Sequence, residues 1–117
     1  MDGSTIRVLL VEDDRDDADL IRAYLRETEG VHVELEHVDR LSAGLDRLRD
    51  NPVDVLLLDL CLPDSWGLET FRTAHRHVRD IPIVVMTSAE VMEMALQAVR
   101  EGASDYLFKA DLDGVML

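Results

Sequence analysis

At 117 residues, 47% of them hydrophobic, the chain is the length of one domain with a single core. Its 25 acidic against 12 basic side chains give a net charge of −13, which speaks against direct nucleic-acid binding, since phosphate backbones are held by Lys and Arg. The single cysteine excludes an internal disulfide and fits a reducing, cytoplasmic setting, and no apolar run approaches a membrane span in length.

In chain order, Thr5–Val11 is a strand, followed by four acids in five residues: Glu12, Asp13, Asp14 and Asp16. Residues 14–27 form a helix with Ala18, Ile21 and Leu25 on one stripe, Asp14 as its cap and acids in its first turn. Residues 31–37 alternate apolar with polar side chains, the pattern of an edge strand with one wet face. Asp39 is placed to cap the next helix, which carries Leu41, Leu45 and Leu48 and stops at Asn51-Pro52. A central strand, doubly buried, runs over 53–58 and ends at Asp59. Pro63 then ends ladder pairing, and Asp64 or Ser65 can cap a helix over 65–77.

A fourth strand covers 81–86 and is ended by Thr87. The helix over 89–101 has Val91, Met92, Met94, Ala95, Leu96, Ala98 and Val99 on more than half of its wheel, beyond what packing on a sheet needs. That excess points to a contact surface. Gly102 stops it, a fifth strand over 103–108 ends at Lys109, and residues 111–117 look like the first turns of a truncated fifth helix. Alternating strands and helices without a linker or repeat call for an α/β fold: a doubly wound parallel sheet with helices on both faces.

Each buried strand then delivers a polar side chain at its carboxyl end, where open parallel sheets bind ligands. Strand one supplies Glu12 and Asp13, strand three Asp59, strand four Thr87 and strand five Lys109. Three carboxylates repel one another unless a hard cation lies among them, and Mg²⁺, which takes oxygen ligands and works beside phosphate, suits that site. A hydroxyl and an ammonium nearby can hold phosphoryl oxygens, and a carboxylate nucleophile facing phosphorus makes an acyl phosphate. The ordinary alternative is a solvated rim of helix caps and ion pairs.

Four motifs carry a family resemblance: Val8-Leu9-Leu10-Val11-Glu12-Asp13-Asp14; Leu58-Asp59-Leu60-Cys61-Leu62-Pro63-Asp64 with Gly67; Pro82-Ile83-Val84-Val85-Met86-Thr87-Ser88; and Gly102-Ala103-Ser104-Asp105-Tyr106-Leu107-Phe108-Lys109. In this order and spacing the chain resembles the receiver domains of two-component response regulators over nearly its whole length. The resemblance implies a flavodoxin-like sheet of order 2-1-3-4-5. It also implies Asp59 as phosphoacceptor, Mg²⁺ held by Glu12, Asp13, Asp59 and the backbone carbonyl of Cys61, Thr87 as switch hydroxyl, Lys109 as phosphoryl-binding lysine and Tyr106 as aromatic switch.

The implied partners are a histidine kinase or phosphotransfer domain and an output domain, linked or separate, with a homodimer through the 89–108 face as a further possibility. Such a domain binds neither membrane nor nucleic acid directly. It is not an enzyme beyond Mg²⁺-dependent self-phosphorylation and self-dephosphorylation. Two departures stand out. Ala110 follows Lys109 where most receivers have a cis-proline, so a trans bond is expected. The short fifth helix suggests that residues 1–117 are the receiver domain of a longer protein.

The remaining residues have plainer explanations. His75 and His77 diverge on a helix, Trp66 suits packing or contact, and Cys61 is small and apolar. A phosphatase of the haloacid dehalogenase type would want a second Asp where this chain has Cys61. A phosphorylation-independent interaction module would not need Glu12, Asp13, Asp59, Thr87 and Lys109 together. In receivers, the side chains at the positions of Cys61 and Ala89 position or obstruct the hydrolytic water. Neither residue offers a carboxylate or amide, so slow self-dephosphorylation is expected.

Overall fold

Strands and helices alternate along the whole of the computed structural model, which describes residues 5–27 and 30–116. They are β1 (Thr5–Val11), α1 (Arg15–Arg26), β2 (His32–Val38), α2 (Leu41–Asp50), β3 (Val55–Asp59), α3 (Leu68–His77), β4 (Ile83–Thr87), α4 (Met92–Glu101), β5 (Asp105–Phe108) and α5 (Lys109–Met116). The five strands form one sheet in the order β2-β1-β3-β4-β5, all pairs parallel. This is the flavodoxin-like order, and the alternating strand β2 lies at an edge as its pattern implies.

Alternation within β1 divides the core in two. Leu9 and Val11 join Leu56, Leu58 and Val85 on the face covered by α2, α3 and α4, where Phe71, Ala74, Ala95 and Ala98 are buried. Val8 and Leu10 join Leu57 and Met86 on the other face, under Ala18 and Ile21 of α1 and Leu112 of α5. Gly44 lets α2 approach closely, since a Cβ there would lie 2.9 Å from Val11 Cγ2. No helix among the described residues is long and apolar enough to cross a membrane.

Several element ends differ from the sequence expectation. Asp39 does not cap α2: the N-cap residue is Arg40, without a side-chain cap bond, and the Asp39 carboxylate pairs with the Arg40 guanidinium at 3.2 Å. The cap comes from a different loop, where Asp64 accepts from the N–H groups of Leu41 (2.8 Å) and Ser42 (2.9 Å). Asp64 therefore caps the helix before its own strand, not the one after it.

Helix α3 starts at Leu68, later than expected, because the chain first folds back in a bridge between Cys61 and Trp66. Gly67, at φ 79°, turns the chain out of that bridge, and Met94 Sδ would lie only 3.2 Å from a Cβ there. Residues 89–91 form a 3-10 turn that delays α4. Strand β5 starts at Asp105 because Ala103 N–H still closes the end of α4, on the Ala98 carbonyl at 2.9 Å. The fifth helix begins at Lys109 itself rather than at Asp111, directly after β5. No peptide bond among the described residues is cis, so Lys109–Ala110 is trans.

Candidate functional site

The strand register brings the polar strand ends together. Glu12 follows the last residue of β1, Asp59 closes β3, Thr87 closes β4, and Lys109 follows β5. Parallel pairing in register keeps these ends on one edge, with Asp59 opposite Met86 and Thr87 opposite Phe108. Glu12, Asp59 and Thr87 are buried although polar, and Asp13 is exposed.

Burying several carboxylates together is costly unless charge is compensated. Oxygens of Glu12, Asp13 and Asp59 lie within 4.8 Å of one another. Lys109 Nζ is 2.7 Å from Glu12 Oε1, 3.2 Å from Asp59 Oδ2 and 2.9 Å from Asp17 Oδ2. The contact to Glu12 is a close ion pair without hydrogen-bond alignment, so the buried Oε1 has no hydrogen-bond partner among the described residues. Asp59 Oδ1 accepts from the Cys61 N–H at 3.2 Å. The Cys61 carbonyl takes no part in the two hydrogen bonds that close the following turn, Leu62 N–H to Ser65 and Gly67 N–H to Leu60.

The electrostatics follow from this crowding. Burial, then the adjoining Asp59 carboxylate, push the Glu12 carboxyl up to about 8, against the opposing pull of Lys109. Burial pulls the Lys109 ammonium down, but Glu12, Asp59 and Asp17 outweigh it and hold the group charged. Burial and the charge of Asp59 push the Cys61 thiol up, so it stays neutral. An all-oxygen set in which the buried Glu12 Oε1 has no hydrogen-bond partner among the described residues fits a divalent cation.

Of the expected site residues, Glu12, Asp13, Asp59 and Lys109 come together directly, with the Cys61 backbone beside them. Thr87 closes the neighbouring strand, where its hydroxyl donates to the Ser88 carbonyl at 2.8 Å. Tyr106 lies further back on β5, opposite Val85, and is 39% exposed. Two contacts escaped the sequence reading. His37 Nε2 lies 2.6 Å from the Glu12 carbonyl. Asp17, counted only among the acids of the first turn of α1, reaches Lys109. One clue to Asp17 was available: it lies in the first turn of α1, the helix that directly follows Glu12 and Asp13.

Comparison with known proteins identifies the family and agrees with the fold. The sequence pattern of the family described as response regulator receiver domain matches residues 8–114. The transcriptional regulatory protein ZraR of Klebsiella oxytoca is 31% identical over 118 residues, covering 100% of this chain and 26% of ZraR. BaeR, a transcriptional regulatory protein of Escherichia coli O6:H1, is 37% identical over 110 residues, covering 93% of this chain and 44% of BaeR. The chain thus spans less than half the length of these relatives. Among solved structures, the phosphorylated cyanobacterial phytochrome response regulator RcpA superposes with a TM-score of 0.78 at 22% identity, covering 95% of this chain and 88% of RcpA. The Mn²⁺-bound form of the response regulator Rcp1 gives 0.77 at 22% identity, covering 94% and 91%. A family match over residues 8–114, with a relative 31% identical over the whole chain, leaves one assignment: this protein belongs to the response regulator receiver domains of two-component systems.

Proposed function

We propose that Asp59 accepts a phosphoryl group from the phosphohistidine of a histidine kinase or phosphotransfer domain, and that the acyl phosphate switches a partner-binding surface. The observation that carries this reading is the environment of Asp59. It is a buried carboxylate at the end of the central strand, with a peptide N–H on one oxygen and the Lys109 ammonium on the other. An Asp59 oxygen forms the new O–P bond while the P–N bond to the donor imidazole breaks, its electron pair returning to the ring nitrogen. Mg²⁺ held by Glu12, Asp13, Asp59 and the Cys61 carbonyl would neutralise charge on the phosphoryl oxygens. The Mn²⁺-bound Rcp1, which shares the fold, lends support to a divalent ion at this edge.

Lys109 keeps its ammonium beside Asp59, where it pairs with the transferred group. The Thr87 hydroxyl, now donating to Ser88, turns its proton toward a phosphoryl oxygen, and Tyr106 follows it inward from the surface. The chain turns over no separate substrate, its chemistry being confined to gaining and losing its own phosphoryl group. The surface that responds is the α4–β5 face, on which Leu96, Val99 and Tyr106 are exposed, a face suited to an output domain or a second copy.

Incubation with acetyl phosphate and Mg²⁺, followed by intact-mass measurement, tests the assignment. One added phosphoryl group is expected, lost in Asp59→Asn while the fold persists. Full labelling of that variant would overturn the role of Asp59.

A further inference from the structure

The Lys109 ammonium has three donors and three carboxylate neighbours, of which two, Glu12 and Asp59, belong to the cation-binding set. The third, Asp17 on α1, does not. Its oxygen is 2.9 Å from Nζ, and the pair is sheltered, with side-chain exposures of 17% for Lys109 and 30% for Asp17. Asp17 is itself held in place. Its N–H donates to Asp14 Oδ1 at 3.1 Å, and the Asp14 N–H donates to Glu12 Oε2 at 3.1 Å. The ion pair of Lys109 with Glu12 closes the ring from Glu12 through Asp14, Asp17 and Lys109 back to Glu12.

We infer that Asp17 is a positioning residue for Lys109, holding the ammonium on the α1 side of the site so that a divalent cation can take Glu12 and Asp59. The inference rests on the phosphoacceptor reading of this edge. Of the three partners only Asp17 is unchanged through the cycle: a cation claims Glu12, and a phosphoryl group changes what Asp59 offers. With Asp17 in place, the lysine gives up Glu12 and remains tethered within reach of Asp59. Without it, the ammonium is left with Glu12 and Asp59 alone and competes with the cation for its own ligands. An ion pair of this kind is worth more than a surface pair because both partners are partly screened from water.

The test is a cation-binding cycle on the full chain, which reads the lysine without requiring phosphorylation. Mg²⁺ affinity is measured by titration calorimetry for the parent, Asp17→Asn, Asp17→Glu and Asp16→Asn, and for Asp17→Asn in a Lys109→Met background. Asp17→Asn is expected to weaken Mg²⁺ binding about tenfold, the scale of losing a supporting partner of a metal site. Asp17→Glu keeps the charge and restores most of the affinity. Asp16→Asn, the same charge loss at an exposed position, changes it by less than about twofold. In the Lys109→Met background the effect of Asp17→Asn vanishes, because it acts through the lysine.

An equal loss in both backgrounds, an equal loss in Asp16→Asn, or no loss in Asp17→Asn overturns the inference. Should Asp17→Asn not fold, failure of the charge-preserving Asp17→Glu to keep parental affinity would overturn it as well. Loss of the phosphoacceptor reading is distinguishable, since labelling of Asp59→Asn is a separate measurement from the cation cycle.

Discussion

The carboxylate of Asp64 accepts a hydrogen bond from the N–H of Leu41, 2.8 Å away, and so caps a helix from a loop 23 residues further along the chain. Its other oxygen takes the Ser42 N–H. The loop that carries Asp59 at its start is thereby tied to the start of α2, near the Glu12 and Asp13 edge. Asp64→Ala removes both bonds, and the expected loss of stability is about 1–2 kcal/mol, the range for a helix N-cap. Urea unfolding measures it. The two N–H groups, acting against partial desolvation, also hold the Asp64 carboxyl below the usual carboxylate range. Its folded value is depressed, so its contribution is present above the unfolded carboxylate value and lost as pH falls through the folded one. An unchanged unfolding free energy in Asp64→Ala would remove Asp64 as the cap.

Glu12 makes stability respond to pH in the opposite sense. Its ordinary value is 4.5 and its value in the fold is about 8, so between these limits the folded chain holds more protons than the unfolded one. Unfolding free energy therefore falls as pH rises through that window, and the stabilisation is gone above the upper limit. Mg²⁺ needs Glu12 ionised, so binding should release a proton in the neutral range and strengthen as pH rises toward the upper limit. Thermal melting across this window, with and without millimolar Mg²⁺ at constant ionic strength, checks both statements. The falling trend should flatten in Glu12→Gln, and Mg²⁺ should raise the melting temperature of the parent. A parent with the same pH slope as Glu12→Gln would count against a proton on Glu12.

Thr87 and Tyr106 predict where the signal leaves the site. With beryllofluoride and Mg²⁺, amide exchange should change in α4 and around Tyr106 as well as beside Asp59. Thr87→Ala should retain the change beside Asp59 and lose the remote one, because the hydroxyl that links them is absent. Were the parent's change confined to the Asp59 loop, Tyr106 would be a bystander.

If Asp59 is phosphorylated as proposed, the lifetime of the acyl phosphate should turn on Cys61 and Ala89. The Cys61 thiol is neutral and a poor hydrogen-bond partner, and Ala89, exposed at the start of the 3-10 turn, offers no polar group. Self-dephosphorylation should be slow, and Cys61→Asn with Ala89→Glu should speed it about tenfold, equal to ~1.4 kcal/mol of barrier. Phosphate release after phosphorylation is the measurement. Release no faster than from the parent would mean that water access, not positioning, sets the rate.

Much of this protein could be read from sequence because its signals are local or repeat along the chain. The buried apolar run before Asp59, the alternation in β2 and the helical stripe of Ala18 and Ile21 are written within single elements. Their alternation calls for a parallel sheet with right-handed crossovers, while the strand order 2-1-3-4-5 followed from the family resemblance. Once the sheet is known, Glu12, Asp13, Asp59, Thr87 and Lys109 are at its carboxyl edge because each ends or follows its own strand.

What the tertiary structure alone decided are pairings between elements far apart in the chain. Asp39 had the local signature of a cap, but the open N–H groups of α2 went to Asp64, whose loop the β1–β3 pairing brings near. The start of α3 depended on a fold-back between Cys61 and Trp66 that no helical period encodes. Lys109 and Asp17 are 92 residues apart, and they meet because α5 and α1 cover the same face of the sheet. Propensity and periodicity act over a few residues, whereas an ion pair depends only on distance in space. The sequence by itself therefore determined which polar groups stand at the strand ends, and the packing of α1 against α5 decided that Asp17 and Lys109 meet there.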